Sequence, residues 1–316
     1  VRASAAEQVR IGIGYGLAFL PIYICQDQKL IEKYAKAAHL DVKVSYPRFA
    51  GAGPLQDALA SGAADIGPFG VAPLLIAWDK AKNEKETRRQ IFAVSGVTTL
   101  PLALLTNRSG VRSIADLHPP DRIAMPTSSA PQMYVLQMEA EKIFSDYQRF
   151  KNQVVELSPS DALAALIGGT GAATAYFASP PYAQIALKDP HIHQILGSED
   201  AIGGKASFLI LGATHAYIEA HPKIAQVLDQ AMDEAAGIIR DDPQRAARIY
   251  LAHEPSKALD AADIAAVLTA NKDEFGSAVE GIQVFADFMG RHGELKTPPQ
   301  NWKEIVAPSL FTSPST

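Results

Sequence analysis

The sequence predicts an α/β protein of two similar lobes, the second inserted into the first, with a helical C-terminal region. Three observations predict this. Apolar residues alternate between period-two and period-3.6 stretches from the first strand onward, so strands and helices follow one another. A stretch of the first half, Pro54-Leu55-Gln56-Asp57-Ala58-Leu59-Ala60-Ser61-Gly62, then a strand, then Gly67-Pro68-Phe69-Gly70-Val71-Ala72-Pro73, is echoed in the second by Ser160-Asp161-Ala162-Leu163-Ala164-Ala165-Leu166-Ile167-Gly168, a strand, and Phe177-Ala178-Ser179-Pro180-Pro181. After the apolar strand Phe208 to Ala213 everything reads as helix, and those helices need a surface, which the first lobe supplies if the chain returns to it.

In chain order, Val9 to Ile13 reads as a strand, and a helix with Leu30, Ile31, Tyr34 and Ala37 on one face follows Asp27. Val42, Val44 and Tyr46 alternate as a strand. Gly51-Ala52-Gly53-Pro54 opens a short helix that turns Leu55, Ala58 and Leu59 inward and stops at Ser61-Gly62. Ala64 to Gly67 is the next strand, and Pro73 starts a helix through Leu74, Leu75 and Trp78, with the charged stretch from Asp79 to Gln90 as its solvated end and loop. Ile91 to Val94 and Leu102 to Thr106 are strands. The order then repeats: strand Arg122 to Met125, a helix opened by Pro131 with Met133, Leu136, Ala140, Ile143 and Phe144 on one stripe, strand Val154 to Leu157, and helix Ser160 to Ile167 ending at Gly168-Gly169. Strand Ala173 to Phe177, a helix led by Pro180-Pro181 and strand Ile192 to Leu196 complete this part. Past Ala213, His221-Pro222 precedes a helix facing inward with Ile224, Val227, Leu228, Ala231, Ala235, Ile238 and Ile239. Asp242-Pro243 opens another, and Asp260 with Asp263 begins a third through Ile264, Val267 and Leu268.

Composition excludes several function classes. With 29 Lys+Arg against 34 Asp+Glu the formal net charge of the 316 residues is −5, which lacks the basic clustering that phosphate-backbone binding needs, so no nucleic acid partner is expected. The single cysteine, Cys25, rules out an intrachain disulfide and a cysteine-based zinc site; it is read as a small buried residue. No run of about 18 apolar residues occurs, so no membrane span is expected. The opening Val1-Arg2-Ala3-Ser4-Ala5-Ala6-Glu7 fits a processed N-terminus left by removal of a signal peptide, or equally a trimmed chain start.

Catalytic and cofactor motifs are weak. Gly12-Ile13-Gly14-Tyr15-Gly16 lacks the third glycine of a dinucleotide fingerprint, since Leu17 stands there. No phosphate-cradling Gly-x-x-x-x-Gly-Lys-Ser/Thr, no Gly-x-Ser-x-Gly and no His-Glu-x-x-His is present. His191 and His193 read as a surface loop after Asp189-Pro190. No metal, cofactor or catalytic residue is therefore expected. The signal lies in small and aromatic residues just past strand ends, where open α/β sheets bind ligands. They are Gly14 to Phe19, Phe49 to Gly53, Gly67 to Val71, Thr127 to Ala130 and Phe177 to Pro180, with Arg48 the one nearby charge. Backbone amides and hydroxyls there would fix a small anion, and Tyr15, Phe19, Phe49, Phe69, Tyr134 and Phe177 would supply an apolar wall.

The opening strand with Gly14-Tyr15-Gly16-Leu17-Ala18-Phe19-Leu20-Pro21, Asp27-Gln28-Lys29-Leu30, the block from Leu55 to Gly67 ending Asp65-Ile66-Gly67, Ser113-Ile114-Ala115-Asp116-Leu117 and Ser179-Pro180-Pro181 resemble substrate-binding proteins of ABC importers, of the nitrate/sulfonate/taurine type. The resemblance runs from about Val9 to Trp302. That domain family also includes thiamine-pyrimidine synthases, whose cysteine-rich motif this chain lacks. The resemblance implies a two-lobed periplasmic-binding-protein-like fold of type II, with lobe I at 1–100 and 205–316, lobe II at 101–204, and a ligand cleft between lobes. It implies an exported, periplasmic, monomeric binding protein, without cofactor or metal, that takes a small-molecule solute of the sulfonate or carboxylate class and docks transiently on an ABC permease and its ATPase. Solute contacts are expected at Tyr15, Gly16, Leu17, Phe19, Arg48, Ala50, Gly51, Gly53, Phe69, Gly70, Val71, Thr127, Ser128, Ser129, Phe177 and Ser179. A thiamine-pyrimidine precursor binding protein, or a related biosynthetic enzyme, is the alternative.

Overall fold

The computed structural model describes residues 6–49 and 52–308. The chain divides into two compact units: unit 1 runs up to Thr99 and resumes at Ser207, and unit 2 is Leu100–Ala206. The first pass through unit 1 forms β1 (Glu7–Arg10), a 3-10 turn at Leu17–Phe19, α1 (Leu20–Gln28), α2 (Leu30–Ala37), β2 (Val42–Ser45), α3 (Ala52–Ser61), β3 (Ile66–Phe69), α4 (Val71–Asn83) and β4 (Ile91–Thr98). Unit 2 holds β5 (Ala103–Thr106), β6 (Ile123–Met125), α5 (Pro131–Phe144), β7 (Val154–Glu156), α6 (Pro159–Gly168), β8 (Ala175–Ala178), α7 (Tyr182–Ala186), β9 (His193–Gly197) and α8 (Ser198–Ile202). Back in unit 1 come β10 (Leu209–Thr214), α9 (His215–Ala220), α10 (Ile224–Asp241), α11 (Pro243–His253), α12 (Ala261–Ala270) and α13 (Ile282–Arg291).

Both units share one strand plan. In unit 2 the order is β7-β6-β8-β5-β9, with β6 parallel to β7 and β8, and β5 antiparallel to β8 and β9. In unit 1, β1 pairs in parallel with β2, and β10 lies antiparallel between β3 and β4. A parallel bridge from Ile11 to Ile66 joins these two groups, so the order reads β2-β1-β3-β10-β4. The strand that enters each unit after a crossing, β5 or β10, is the antiparallel one. Periodicity reports which face of a strand is apolar but not which way the strand runs, so this reversal is not legible in the sequence.

Local chemistry explains the helices. The Asp242 side chain accepts from the Arg245 amide at 2.9 Å to cap α11, with Pro243 in the first turn. Asp260 and Asp263 form the reciprocal capping box of α12. On α10, Ile224, Val227, Leu228, Ala231, Ala235 and Ile239 are buried as the stripe predicts, while Ile238 is only half-buried. The reading fails at α1, which precedes the helix expected after Asp27. Leu20 to Cys25 are all buried, so the segment is apolar all round and shows no amphipathic stripe. Lys29, at φ 53°, breaks the chain between α1 and α2. Burial pushes the Cys25 thiol up, which fits its place in the core.

Asp79 corrects the solvated reading of its segment. It is buried, and its carboxylate accepts the Lys296 amide at 2.9 Å and the Thr297 amide and hydroxyl at 2.8 Å each. The carboxylate thus ties α4 to the chain after α13. Burial alone would raise the Asp79 carboxyl, but these donors hold it below its ordinary value. Its stabilisation is therefore present above the unfolded carboxylate value of about 3.9 and is lost as pH falls through the lower folded value. Asp79→Asn is expected to cost about 2 kcal/mol at pH 7. The gap to the parent should shrink in urea titrations below about pH 4.

Gly96 on β4 offers a sharper test of packing, because a Cβ there would stand 2.0 Å from the Ala278 carbonyl oxygen. Backbone cannot swing aside. Gly96→Ala is expected to cost about 3 kcal/mol, lowering the melting temperature by roughly 4–5 °C. Gly110→Ala, with open space around the added methyl, should melt with the parent in the same scan.

Candidate functional site

The strongest side-chain constellation among the described residues lies in unit 1, around the loop that leaves β1. Gly16 has φ 107°, a conformation that a side chain would strain, and its amide donates to both oxygens of Glu254, at 2.8 and 3.0 Å. The Tyr23 hydroxyl donates to Glu254 Oε1 and lies 3.1 Å from the Gly14 carbonyl oxygen. From one turn up α11, Tyr250 donates its hydroxyl to Glu254 Oε2 at 3.3 Å. Burial, followed by the bond to Glu254, raises the Tyr23 phenol far above its ordinary value, so it stays a proton donor.

Arg48 approaches the same loop from the chain after β2. Its Nη1 donates to the Gly14 carbonyl at 2.9 Å, and its guanidinium carbon lies 4.6 Å from the Tyr15 ring centre and 5.4 Å from that of Tyr23. The side chain is exposed, and a guanidinium carries five N–H donors, so donors remain to meet solvent or solute. His253 stacks on Tyr23 with ring centres 4.5 Å apart and planes 1° from parallel. Burial lowers its imidazole value, and Arg48 adds to that; Asp27, 3.9 Å away, and Glu254 pull the other way.

Of the residues expected to touch solute, Tyr15, Gly16 and Arg48 meet in this constellation. Tyr15, 66% exposed, presents its ring to solvent. Leu17 and Phe19 are buried, and Phe19 fills the space over Gly14, where a Cβ would fall 2.7 Å from its ring. The glycines of these loops therefore make room for the protein's own side chains: Leu55 likewise sits where a Cβ on Gly67 would be, at 2.7 Å. Ala50 and Gly51 lie outside the described residues, and Gly53 lies within α3. Phe69 is buried against Gly212 of β10, Val71 is buried, and Gly70 caps α4 in extended backbone.

In unit 2, Thr127, Ser128 and Ser129 are exposed in the loop between β6 and α5. The Thr127 and Ser129 hydroxyls lie 3.3 Å apart. The Ser128 amide donates to Glu156 Oε1 at 2.6 Å, and the Ser128 hydroxyl and amide together lower the Glu156 carboxyl value. Phe177 is fully buried in β8, so its ring belongs to the unit's core, and Ser179 is half-buried with its carbonyl accepting from the Ala183 amide at 3.2 Å. His193 Nε2 pairs with the Val111 carbonyl at 2.7 Å. Among the described residues no cluster of three His, Cys, Asp or Glu could hold a metal.

Glu254, Tyr23, Tyr250, His253 and Glu156 escape the sequence reading. Gly16 and Glu254 are 238 positions apart, and His253-Glu254-Pro255 reads locally as nothing more than a helix end. The one usable signal is the return of the C-terminal helices to the first lobe, which names no residue.

No family model and no curated protein matches this chain. Solved structures do. The alkanesulfonate-binding protein SsuA from Xanthomonas axonopodis pv. citri, bound to MOPS, superposes with a TM-score of 0.72 at 20% identity, covering 97% of this chain and 99% of that one. The periplasmic aliphatic sulphonate binding protein SsuA from Escherichia coli gives 0.72 at 18%, covering 98% and 100%. The periplasmic nitrate-binding protein NrtA from Synechocystis PCC 6803 gives 0.68 at 15%, covering 98% and 88%. No helix among the described residues is long and apolar enough to cross a membrane. With nearly full coverage of both partners, two units joined by two crossings and the same strand plan in each, this chain has the α/β periplasmic-binding-protein fold that ABC-type substrate-binding proteins share.

Proposed function

We propose that the protein is the solute-binding component of an ABC importer, exported to the periplasm, capturing a small organic anion and delivering it to a permease. The observation that carries this reading is the full-length likeness to sulfonate- and nitrate-binding proteins. Arg48 supports the anionic part: it is an exposed guanidinium braced on Tyr15 and on the Gly14 carbonyl. A sulfonate or carboxylate would take its free N–H donors, and the organic body would lie on the Tyr15 ring. The exposed hydroxyls of Thr127, Ser128 and Ser129 are candidate contacts in unit 2. No covalent chemistry is required; binding and release suffice.

Thermal-shift screening of alkanesulfonates, carboxylates and pyrimidines tests the solute class. A true solute at about 100 times its Kd adds about 2.7 kcal/mol of stability. If only pyrimidines shift the melting temperature, the thiamine-precursor reading replaces this one; if nothing does, both fail. Arg48→Ala is expected to weaken binding by roughly 10- to 100-fold, the worth of a charge-assisted hydrogen bond. Arg48→Lys should fall between, because the charge stays and the fork is lost. Equal affinity across the three proteins in calorimetry would remove the anion from Arg48.

A further inference from the structure

Glu254 is an anion bound to the loop where the proposed solute's acid group would be received. Its carboxylate takes the Gly16 amide at 2.8 and 3.0 Å and the hydroxyls of Tyr23 and Tyr250, the kind of donor set that also accepts a sulfonate or a solute carboxylate. Unit 2 repeats the arrangement. The loop after β6 is the counterpart, in the shared strand plan, of the loop after β1, and there the Ser128 amide donates to Glu156 Oε1 at 2.6 Å. Two equivalent loops thus each carry a glutamate of this chain on a backbone amide.

Glu254 is placed to leave. It is half-buried and follows the last residue of α11. Pro255 and the segment after it line an open hollow of about 470 Å³ with Leu251 and Leu259. Three hydrogen-bond donors hold the carboxylate: the Gly16 amide and the hydroxyls of Tyr23 and Tyr250.

We propose that Glu254 is a displaceable resident anion that sets the affinity of the Gly16 seat for a solute's acid group. The inference rests on the solute being an organic anion, as proposed above. A solute gains the Gly16 amide when Glu254 gives it up, and the apparent affinity is reduced by the fraction of time the seat is filled. A seat occupied by Glu254 about nine-tenths of the time costs a solute about 10-fold in affinity. The penalty is common to every solute that needs the seat, so it raises the affinity that contacts at Arg48 and Tyr15 must supply.

The test is calorimetric titration of the full chain with hexanesulfonate, comparing the parent with Glu254→Gln and Glu254→Ala, each checked for folding by circular dichroism. The glutamine keeps the shape and removes the charge. Each variant is expected to bind about 10-fold tighter than the parent, the reverse of what a merely structural bond would show. In the 15N-labelled parent, the Gly16 amide resonance should move on saturation as its acceptor changes. Equal or weaker binding by both variants, or a Gly16 resonance that stays in place, overturns the resident-anion proposal and leaves the solute reading intact. If Glu254→Gln does not fold, Glu254→Ala and the Gly16 resonance of the parent decide by the same criteria. Absence of binding by parent and variants, to hexanesulfonate and to hexanoate alike, overturns both the inference and the anionic solute class.

Discussion

Unit 1 depends on the side-on pairing of Arg10 with Asp65. The guanidinium gives Nε to Oδ2 and Nη2 to Oδ1, each at 2.8 Å, and the Arg10 amide adds a third bond to Oδ2 at 2.8 Å. The Asp65 amide donates back to the Arg10 carbonyl at 2.9 Å. Asp65 is 9% exposed, so this carboxylate is held by donors rather than by water, and such a fork is geometrically demanding. It lies at the seam where β1 and β3 meet without a continuous ladder, only the bridge from Ile11 to Ile66. The loop leaving β1, with Gly14, Tyr15 and Gly16, is therefore aimed by a charge pair set just before the seam.

From that seam the rest of the constellation follows by packing. Phe19 and Leu55 occupy the space over Gly14 and Gly67, so the loop rests on its own side chains rather than on an empty pocket. Glu254 then closes the loop against α11, and Tyr23, stacked on His253, supplies a hydroxyl between Gly14 and that carboxylate. One cation and one anion of the protein thus sit on opposite polar groups of the same loop: Arg48 on the Gly14 carbonyl, Glu254 on the Gly16 amide. Each satisfies a backbone group that would otherwise face solvent or solute.

Much of the fold was legible in the sequence because periodicity and capping are local. The Asp242-Pro243 start, the Asp260 and Asp263 start of α12 and, Ile238 excepted, the inward stripe of α10 appear as read. What was hidden was hidden for physical reasons. An all-round apolar helix such as α1 has no stripe to detect, and an acidic residue such as Asp79 reads as solvated until the chain 217 positions later supplies its donors. At the candidate site, small residues past strand ends single out the loops after β1 and β6, but glycines there also serve internal packing. Residue type alone cannot separate an exposed ring, such as Tyr15, from one that fills a core, such as Phe69 or Phe177.

The sequence by itself determined the alternation of strands and helices, the echo between two halves and the helical character of the C-terminal region. These are properties of neighbours along the chain, where side-chain period and turn chemistry act. Tertiary structure alone decided that the entering strand of each unit runs antiparallel, that Asp79 is buried, and that Gly16 is held by a glutamate 238 positions away. Such pairings depend on which surfaces meet when apolar faces are buried, and a carboxylate carries no local mark of the amide it will meet.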